Sequence, residues 1–439
     1  MPLVSITECY YIAAIVLSIS FFNIVLSRIA GYFNIQDEFQ RKAVHVTVGI
    51  ATISYPFIFD SYHGAILTNI ILVALSLLIK KVKFFYNLAG KSLYAVKRKS
   101  KGEFYFLIGS GALAYLSMHN IFIYVVSMSL LTFSDTVAAL IGVNYAKVSF
   151  SGVDGKKSYE GMFTFFIFSL VLILITMLLL SDNLSIPHKS MVVIATITAI
   201  VVTIIEACAW DGLDNILIPL STYSLLSNLI PKPLSVLMLD LSSIMVFLVL
   251  VYYRKDIRLM TQAKLGLLLI AFYLWVVKGL WWLLPFVIVR AVVPFLVKIE
   301  HEARFDIKAV ISMGGAPFVW SVISQHFPNV NFYTAVLTAA ISTLSILVII
   351  RLDDKKIKIS TSNIVLYTSV ACALIMPIYY LYDPKNIKEF IIYHAPKMYI
   401  ICCITTFGFV RFCEVLSKKI PIWKRHFLFT MLASGLGMV

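Results

Sequence analysis

The chain has 439 residues, of which 60% are hydrophobic and only 13% charged, about half the charged share of an ordinary soluble domain. Apolar runs of about twenty residues recur from end to end, each long enough to cross a bilayer core of ~30 Å as a helix. This excludes a soluble globular enzyme, a secreted disulfide scaffold and a disordered chain; the runs also lack the strict alternation of an outer-membrane barrel. The excess of 37 Lys+Arg over 22 Asp+Glu gives a net charge of +15. In a helical membrane protein that excess belongs to cytoplasmic loops facing anionic lipid, not to nucleic acid.

In chain order the expected spans are 9–27, 43–59, 65–79, 103–118, 121–142, 160–180, 190–209, 216–230 and 237–253. Then come 264–283, 284–297, 309–325, 333–350, 362–382, 398–416 and a short 426–438. The expected fold is an all-α polytopic membrane protein with about 14 to 16 transmembrane helices. The start, through Cys9-Tyr10-Tyr11, has no basic n-region and no small-residue cleavage site, so it reads as a first membrane helix. The segment 216–230 is short, contains Pro219, and is a candidate re-entrant element. Basic loops at 28–42, 80–101, 143–158, 254–263, 298–308, 351–358 and 417–425 alternate with loops at 60–64, 119–120, 181–189 and 231–236 that have almost no positive charge. One topology satisfies them: N-terminus outside, basic loops in the cytoplasm. The six cysteines, Cys9, Cys208, Cys372, Cys402, Cys403 and Cys413, have no paired spacing and read as small apolar packing residues. The stretch Arg254 to Arg258 is a seam. It divides a polar-signature half, 1–255, from a more uniformly apolar half, 256–439.

Four constellations in the first half can carry chemistry. Arg41-Lys42-x-x-His45 puts two cations and an imidazole at a helix start, with Arg41 and His45 four apart on one face, a combination able to grip phosphate. Ser134-Asp135 to Gly142 contains one acid in an apolar span, flanked on its face by Ala138, Ala139 and Gly142. An isolated intramembrane carboxylate is costly, so it points to a metal or substrate, or else to pairing with a buried lysine. Gly152 to Gly161 combines glycines with Lys156, Lys157, Ser158 and Glu160 before a helix. Only two residues separate its first glycines, against the four of a Walker A loop. Glu206, Asp211, Asp214 and Asn215, before Pro219, supply hard oxygens of the kind Mg2+ or Ca2+ prefers. All four lie at the cytoplasmic ends of their spans in the topology above, and together they fit phosphoryl transfer involving a lipid.

These motifs resemble the CTP-dependent lipid kinases: phytol kinase, dolichol kinase and the yeast-type diacylglycerol kinase, relatives of CDP-diacylglycerol synthases. The resemblance runs over about residues 28–255. It rests on Arg41-Lys42-x-x-His45, Asp135 to Gly142, Lys157-Ser158-x-Glu160-Gly161, Glu206 and Asp214-Asn215-x-x-x-Pro219. Departures are Ser134 where the family has glycine, Val143 where it has arginine, and Ala146 for a later glycine. The resemblance implies transfer of the CTP γ-phosphate to a membrane isoprenoid alcohol, on the cytoplasmic side. It implies Asp135, Lys157, Glu160 and Glu206 as catalytic candidates. Arg41, Lys42, His45, Gly142, Lys147, Lys156, Ser158 and Gly161 would meet the nucleotide, and Asp135, Asp214 and Asn215 a divalent metal. The alternatives are a cytidylyltransferase acting on a lipid phosphate and, from another class, a cation-coupled transporter using Asp135 and Glu206.

The second half is similar, faintly, to the phytyl-phosphate kinase family around Ile311 to Pro317, but Ser342-Thr343-Leu344-Ser345 stands where that family has acids. A structural or degenerate module is expected. Lys278 and Arg290 read as snorkelling or paired charges, Glu300-His301-Glu302 as a solvated turn, and Gly109-Ser110-Gly111 as a helix-packing patch.

Overall fold

The computed structural model describes residues 4–90, 101–153, 155–179, 186–253, 261–296, 307–325, 327, 330–354, 359–416 and 421–438. Much of the lysine-rich 80–101 loop, Asp154, the Arg254–Arg258 seam, Glu300-His301-Glu302 and 417–420 lie outside them. The protein is an all-α polytopic membrane protein. Among the described residues eight helices are long and apolar enough to cross a membrane, and three shorter apolar ones accompany them.

The chain forms two compact units, Met1–Ser242 and Ser243–Val439. The division falls inside a helix, Leu234–Tyr253, ahead of the basic seam.

The first unit contains α1 Ile6–Phe33, α2 Asp37–Ile53, α3 Tyr62–Lys81, α4 Gly102–Ser117 and α5 Ile121–Tyr145. A hairpin of β1 Ser149–Gly152 and β2 Gly155–Ser158 follows, then α6 Tyr159–Leu179, α7 His188–Cys208, α8 Asp214–Leu229 and the start of α9 Leu234–Tyr253. Helix α1 begins with a reciprocal cap. Ser5 Oγ accepts from the Glu8 amide at 3.1 Å, and Glu8 Oε2 accepts from the Ser5 amide at 2.8 Å. Glu8 Oε1 also accepts from the Asp60 amide at 3.2 Å, tying this cap to the turn before α3. A polar ladder joins the next elements: Tyr55 Oη donates to Asn69 Oδ1 at 2.9 Å, and Asn69 Nδ2 donates to Ser110 Oγ at 3.0 Å. Buried polar groups in an apolar bundle are tolerated when paired in this way.

Gly109 is indeed a packing glycine, since an added Cβ would lie 2.4 Å from the Asn215 carbonyl oxygen. The segment 216–230, a candidate re-entrant element, is a helix with Pro219 inside it. The hairpin is the one β element of the first unit among the described residues, and its register pairs Phe150 with Lys157 and Ser151 with Lys156.

The second unit contains α10 Thr261–Lys278, α11 Leu280–Leu296, α12 Ile307–Ile323, α13 Tyr333–Asp354, α14 Thr361–Tyr382, α15 Ala395–Leu416 and α16 Ile422–Leu436. Helix α13 is its centre: its apolar stretch is 89% buried, and it packs against α11, α12, α14, α15 and α16. Cys208, Cys372 and Cys402 are buried thiols outside any disulfide, in keeping with a packing role.

Candidate functional site

Helix α2 lies against α5 along a single stripe, Lys42, His45, Gly49 and Thr52, spaced as one helix face requires. Thr52 C=O accepts from Tyr124 Oη at 2.9 Å. Gly49 lets the helices approach, because a Cβ there would stand 2.2 Å from the Thr132 side chain. His45 Nε2 meets the Leu131 carbonyl at 2.9 Å, and its ring sits edge-on to Phe106 with centroids 4.9 Å apart. Lys42 Nζ reaches the Asp135 carboxylate at 2.6 Å.

This stripe holds because α5 is not a regular helix. Leu130–Ser134 is a π-helical turn placed immediately before Asp135. A π turn widens the helix and breaks the i→i−4 pattern. The Leu131 carbonyl is thus accessible to His45, and Asp135 turns towards α2. The sequence pairs Arg41 with His45 at four-residue spacing, but the structure pairs Lys42 with His45. Arg41 instead forms a fork with Glu38, at 2.5 and 3.1 Å, one turn back.

The second constellation joins through the hairpin. Lys157, on β2, donates to Glu206 Oε1 at 2.9 Å and also to the Glu206 carbonyl, at the last turn of α7. Burial alone would lower the Lys157 ammonium pKa; Glu206 and then Asp214 outweigh it and hold the value above the ordinary lysine range. Asp214, at the start of α8, has Asp135, Lys157, Lys42 and Glu206 as its electrostatic neighbours, and Arg41 senses both Asp135 and Asp214. Five elements therefore contribute to one charged cluster: α2, α5, β2, α7 and α8.

The close crossing of α5 and α6 sets this geometry. Gly142 and Gly161 face each other, such that a Cβ on Gly161 would be 3.4 Å from the Gly142 Cα and 3.0 Å from the Ala138 carbonyl. Ser158 Oγ accepts from the Gly161 amide at 3.0 Å and starts α6. Glu160 Oε1 accepts from the Lys147 and Val148 amides, both at 3.0 Å, and so braces the strand entry. Lys147 and Lys156 are exposed.

Asp214 Oδ1 accepts from the Asn215 amide at 3.0 Å, and the Asn215 Oδ1 is buried without a hydrogen-bond partner. An orphaned amide oxygen beside a carboxylate fits a hard divalent cation. Among the described residues no three His, Cys, Asp or Glu side chains stand close enough to hold a metal ion by themselves. The residues thus fit a partial shell, completed by ligands from elsewhere.

Sequence reasoning missed three features: the π turn, the hairpin and the identity of the lysine facing Asp135. The hairpin had a signal in the glycines Gly152 and Gly155, which its register pairs across the turn. An apolar groove of about 560 Å³ runs beside this cluster's own helix, lined by Ile15, Phe22 and Val25 of α1 and Thr47, Ile50 and Ala51 of α2.

Comparison with protein families, curated proteins and solved structures finds no match for this chain.

Proposed function

We propose that the first unit is an integral membrane lipid kinase that transfers the γ-phosphate of CTP to a long-chain isoprenoid alcohol. The observation that carries this reading is the charged cluster itself. Arg41, Lys42, His45, Asp135, Lys157, Glu206 and Asp214 come from five elements and meet in one place. Their order along the chain is that of the lipid-kinase motifs they resemble. Phosphoryl transfer asks a protein mainly for positioning and charge neutralisation, and this cluster supplies cations beside acids. The apolar groove lined in part by α2 suits the tail of a lipid acceptor.

In this reading the acceptor oxygen attacks the γ-phosphorus, the bond to the bridging oxygen breaks, and CDP leaves. Lys157 is the partly accessible cation nearest the acids, with 24% of its side chain exposed, and it neutralises phosphate charge. Glu206, held by Lys157, takes the hydroxyl proton. Lys42 is fully buried, so it orients Asp135 and does not touch nucleotide directly. Glu160 braces the hairpin that carries Lys157. A divalent ion held by Asp214 and the Asn215 Oδ1 would neutralise the triphosphate. The site faces the cytoplasm in the topology that the basic loops favour.

Membranes containing the protein should move label from γ-labelled CTP, and not from α-labelled CTP, into one member of a panel of lipid alcohols. Label from the α position would instead establish a cytidylyltransferase. A second reading, a cation-coupled transporter, draws on one observation: both Asp135 and Glu206 hold a lysine that an entering cation would displace. Absence of label transfer from either position, with ion-gradient-driven flux in vesicles, would decide for it.

A further inference from the structure

The second unit contains buried polar groups without a hydrogen-bond partner among the described residues. On α16, Arg425, His426 and Thr430 are 7%, 2% and 0% exposed, and Ala433 and Ser434 of the same helix are buried with them. Arg425 Nε, His426 Nε2 and the Thr430 hydroxyl have no hydrogen-bond partner. The hydroxyls of Ser342 and Thr343 on α13 and Thr406 on α15 are fully buried and equally unpartnered. These three helices pack pairwise. The His426 ring meets the backbone of Thr343, and the Cys402 thiol, one turn from Thr406, meets the backbone of Ser342. The six groups therefore belong to one region.

Serine and threonine in apolar helices usually return their hydroxyl to the carbonyl four residues back. Thr338, Ser345 and Thr405 do so, at 2.7, 2.9 and 2.8 Å. Ser342, Thr343, Thr406 and Thr430 do not. Buried groups left in this state lose their hydration with nothing in return, and they mark a place for water, an ion or a ligand.

Charge selects among these. Among the residues of this unit whose side chains are described, no Asp or Glu is buried. Arg425 makes no ion pair there. A guanidinium stays ionised under all ordinary conditions, and within a membrane protein such a charge requires a counter-charge. Among the described side chains the region offers a fixed cation and hydroxyl donors and no buried acid. The planar fork of arginine matches an oxyanion with two oxygens side by side.

We infer that the second unit holds a binding site for an oxyanion, a phosphate or carboxylate group, gripped by Arg425 and by the hydroxyls of Thr430, Ser342, Thr343 and Thr406, with His426 beside them. This site is independent of the kinase reading, whose residues all lie in the first unit.

The full-length protein in phosphatidylcholine nanodiscs tests it with two probes: inorganic phosphate in solution, and phosphatidate mixed into the bilayer. The readout is the melting temperature, titrated to half-saturation. At least one probe should stabilise the wild type. Arg425→Gln should weaken that response about tenfold or more, while Lys424→Gln, which removes the exposed neighbouring cation, should leave it unchanged. Thr430→Val and Ser342→Ala, which remove a hydroxyl with little change in volume, should each weaken it about threefold; they decide the matter if Arg425→Gln fails to fold. A response to inorganic phosphate assigns a free anion, and a response to phosphatidate alone assigns a lipid headgroup. The inference falls if neither probe stabilises the wild type, if the site variants that fold respond as the wild type does, or if Lys424→Gln loses as much as Arg425→Gln.

Discussion

Lys42 and Asp135, 93 residues apart in sequence, form a buried ion pair: Lys42 Nζ is 2.6 Å from Asp135 Oδ2 and 3.2 Å from the Asp135 carbonyl oxygen. Their side chains are 2% and 10% exposed. The same carboxylate oxygen is 3.5 Å from His45 Nε2. This acid, the costliest residue of its span, is thus stabilised from within the protein, and its removal has structural as well as functional consequences.

Asp135→Asn should therefore destabilise the protein by ~3–5 kcal/mol, because it leaves a buried ammonium without its counter-charge. Combining Lys42→Met with Asp135→Leu should recover most of the folded yield, since an apolar pair of similar volume avoids that cost. Turnover should not recover with it, because Asp214 and Arg41 lose a charged neighbour. Thermal unfolding in detergent and specific activity per folded molecule separate the two effects. Equal loss of folded protein in the single and double variants would contradict the ion-pair account.

Lys157 and Glu206 give a pH-dependent test. The folded pKa of Lys157 is raised, so the pair's contribution to stability is complete below the unfolded lysine value and is lost as pH rises through the higher folded one. In the Glu206→Gln variant, burial is opposed mainly by Asp214. The lysine pKa should then fall, and both the alkaline limb of turnover and the alkaline loss of stability should move to lower pH. Matching alkaline limbs in wild type and variant would show that Glu206 does not set the charge of Lys157.

How much of this was legible beforehand follows from the range of each signal. Apolar runs identify membrane helices locally, so a helix stands at each expected span, including the proline-bearing 216–230. The polar constellations were visible because a charge in an apolar run is conspicuous by itself. Their pairing was not. Which of Arg41 and Lys42 faces α5 depends on the rotation of α2, and that rotation follows from Gly49 closing on Thr132 and from the π turn at Leu130–Ser134. Neither is encoded in a local pattern. Likewise, nothing local to Glu160, a catalytic candidate by resemblance, shows that its carboxylate accepts from the Lys147 and Val148 amides at the strand entry.

Glycine substitutions should rank by what the new Cβ meets. Gly31→Ala meets nothing within 4 Å and should be silent. Gly109→Ala would press on the Asn215 carbonyl at 2.4 Å, backbone that cannot step aside without moving the start of α8. It should cost ~1–3 kcal/mol and lower turnover through Asp214 and Asn215. Gly142→Ala, whose nearest neighbour is the movable Ser158 hydroxyl at 2.9 Å, should be milder. Melting temperatures of the three variants test the order; a Gly109→Ala protein as stable as Gly31→Ala would show that α4 and α8 are less closely packed than described.

Metal binding should depend on nucleotide. Asp135 is engaged by Lys42, and among the described residues no three acid, histidine or cysteine side chains stand close enough together to hold a metal ion. Asp214 and the unpartnered Asn215 Oδ1 supply at most part of a coordination shell. Magnesium takes near-octahedral oxygen coordination and is commonly bound through one or two protein ligands together with substrate phosphates. The protein alone should therefore show little heat on titration with Mg2+. In the presence of CTP the same titration should saturate, and chelation should abolish label transfer. Asp214→Asn should weaken the nucleotide-dependent metal binding while leaving CTP binding measured without metal close to that of wild type, because Asp214 acts on the ion. Strong Mg2+ binding without nucleotide would mean that the acids form a complete cage, and that Lys42 releases Asp135 to join it.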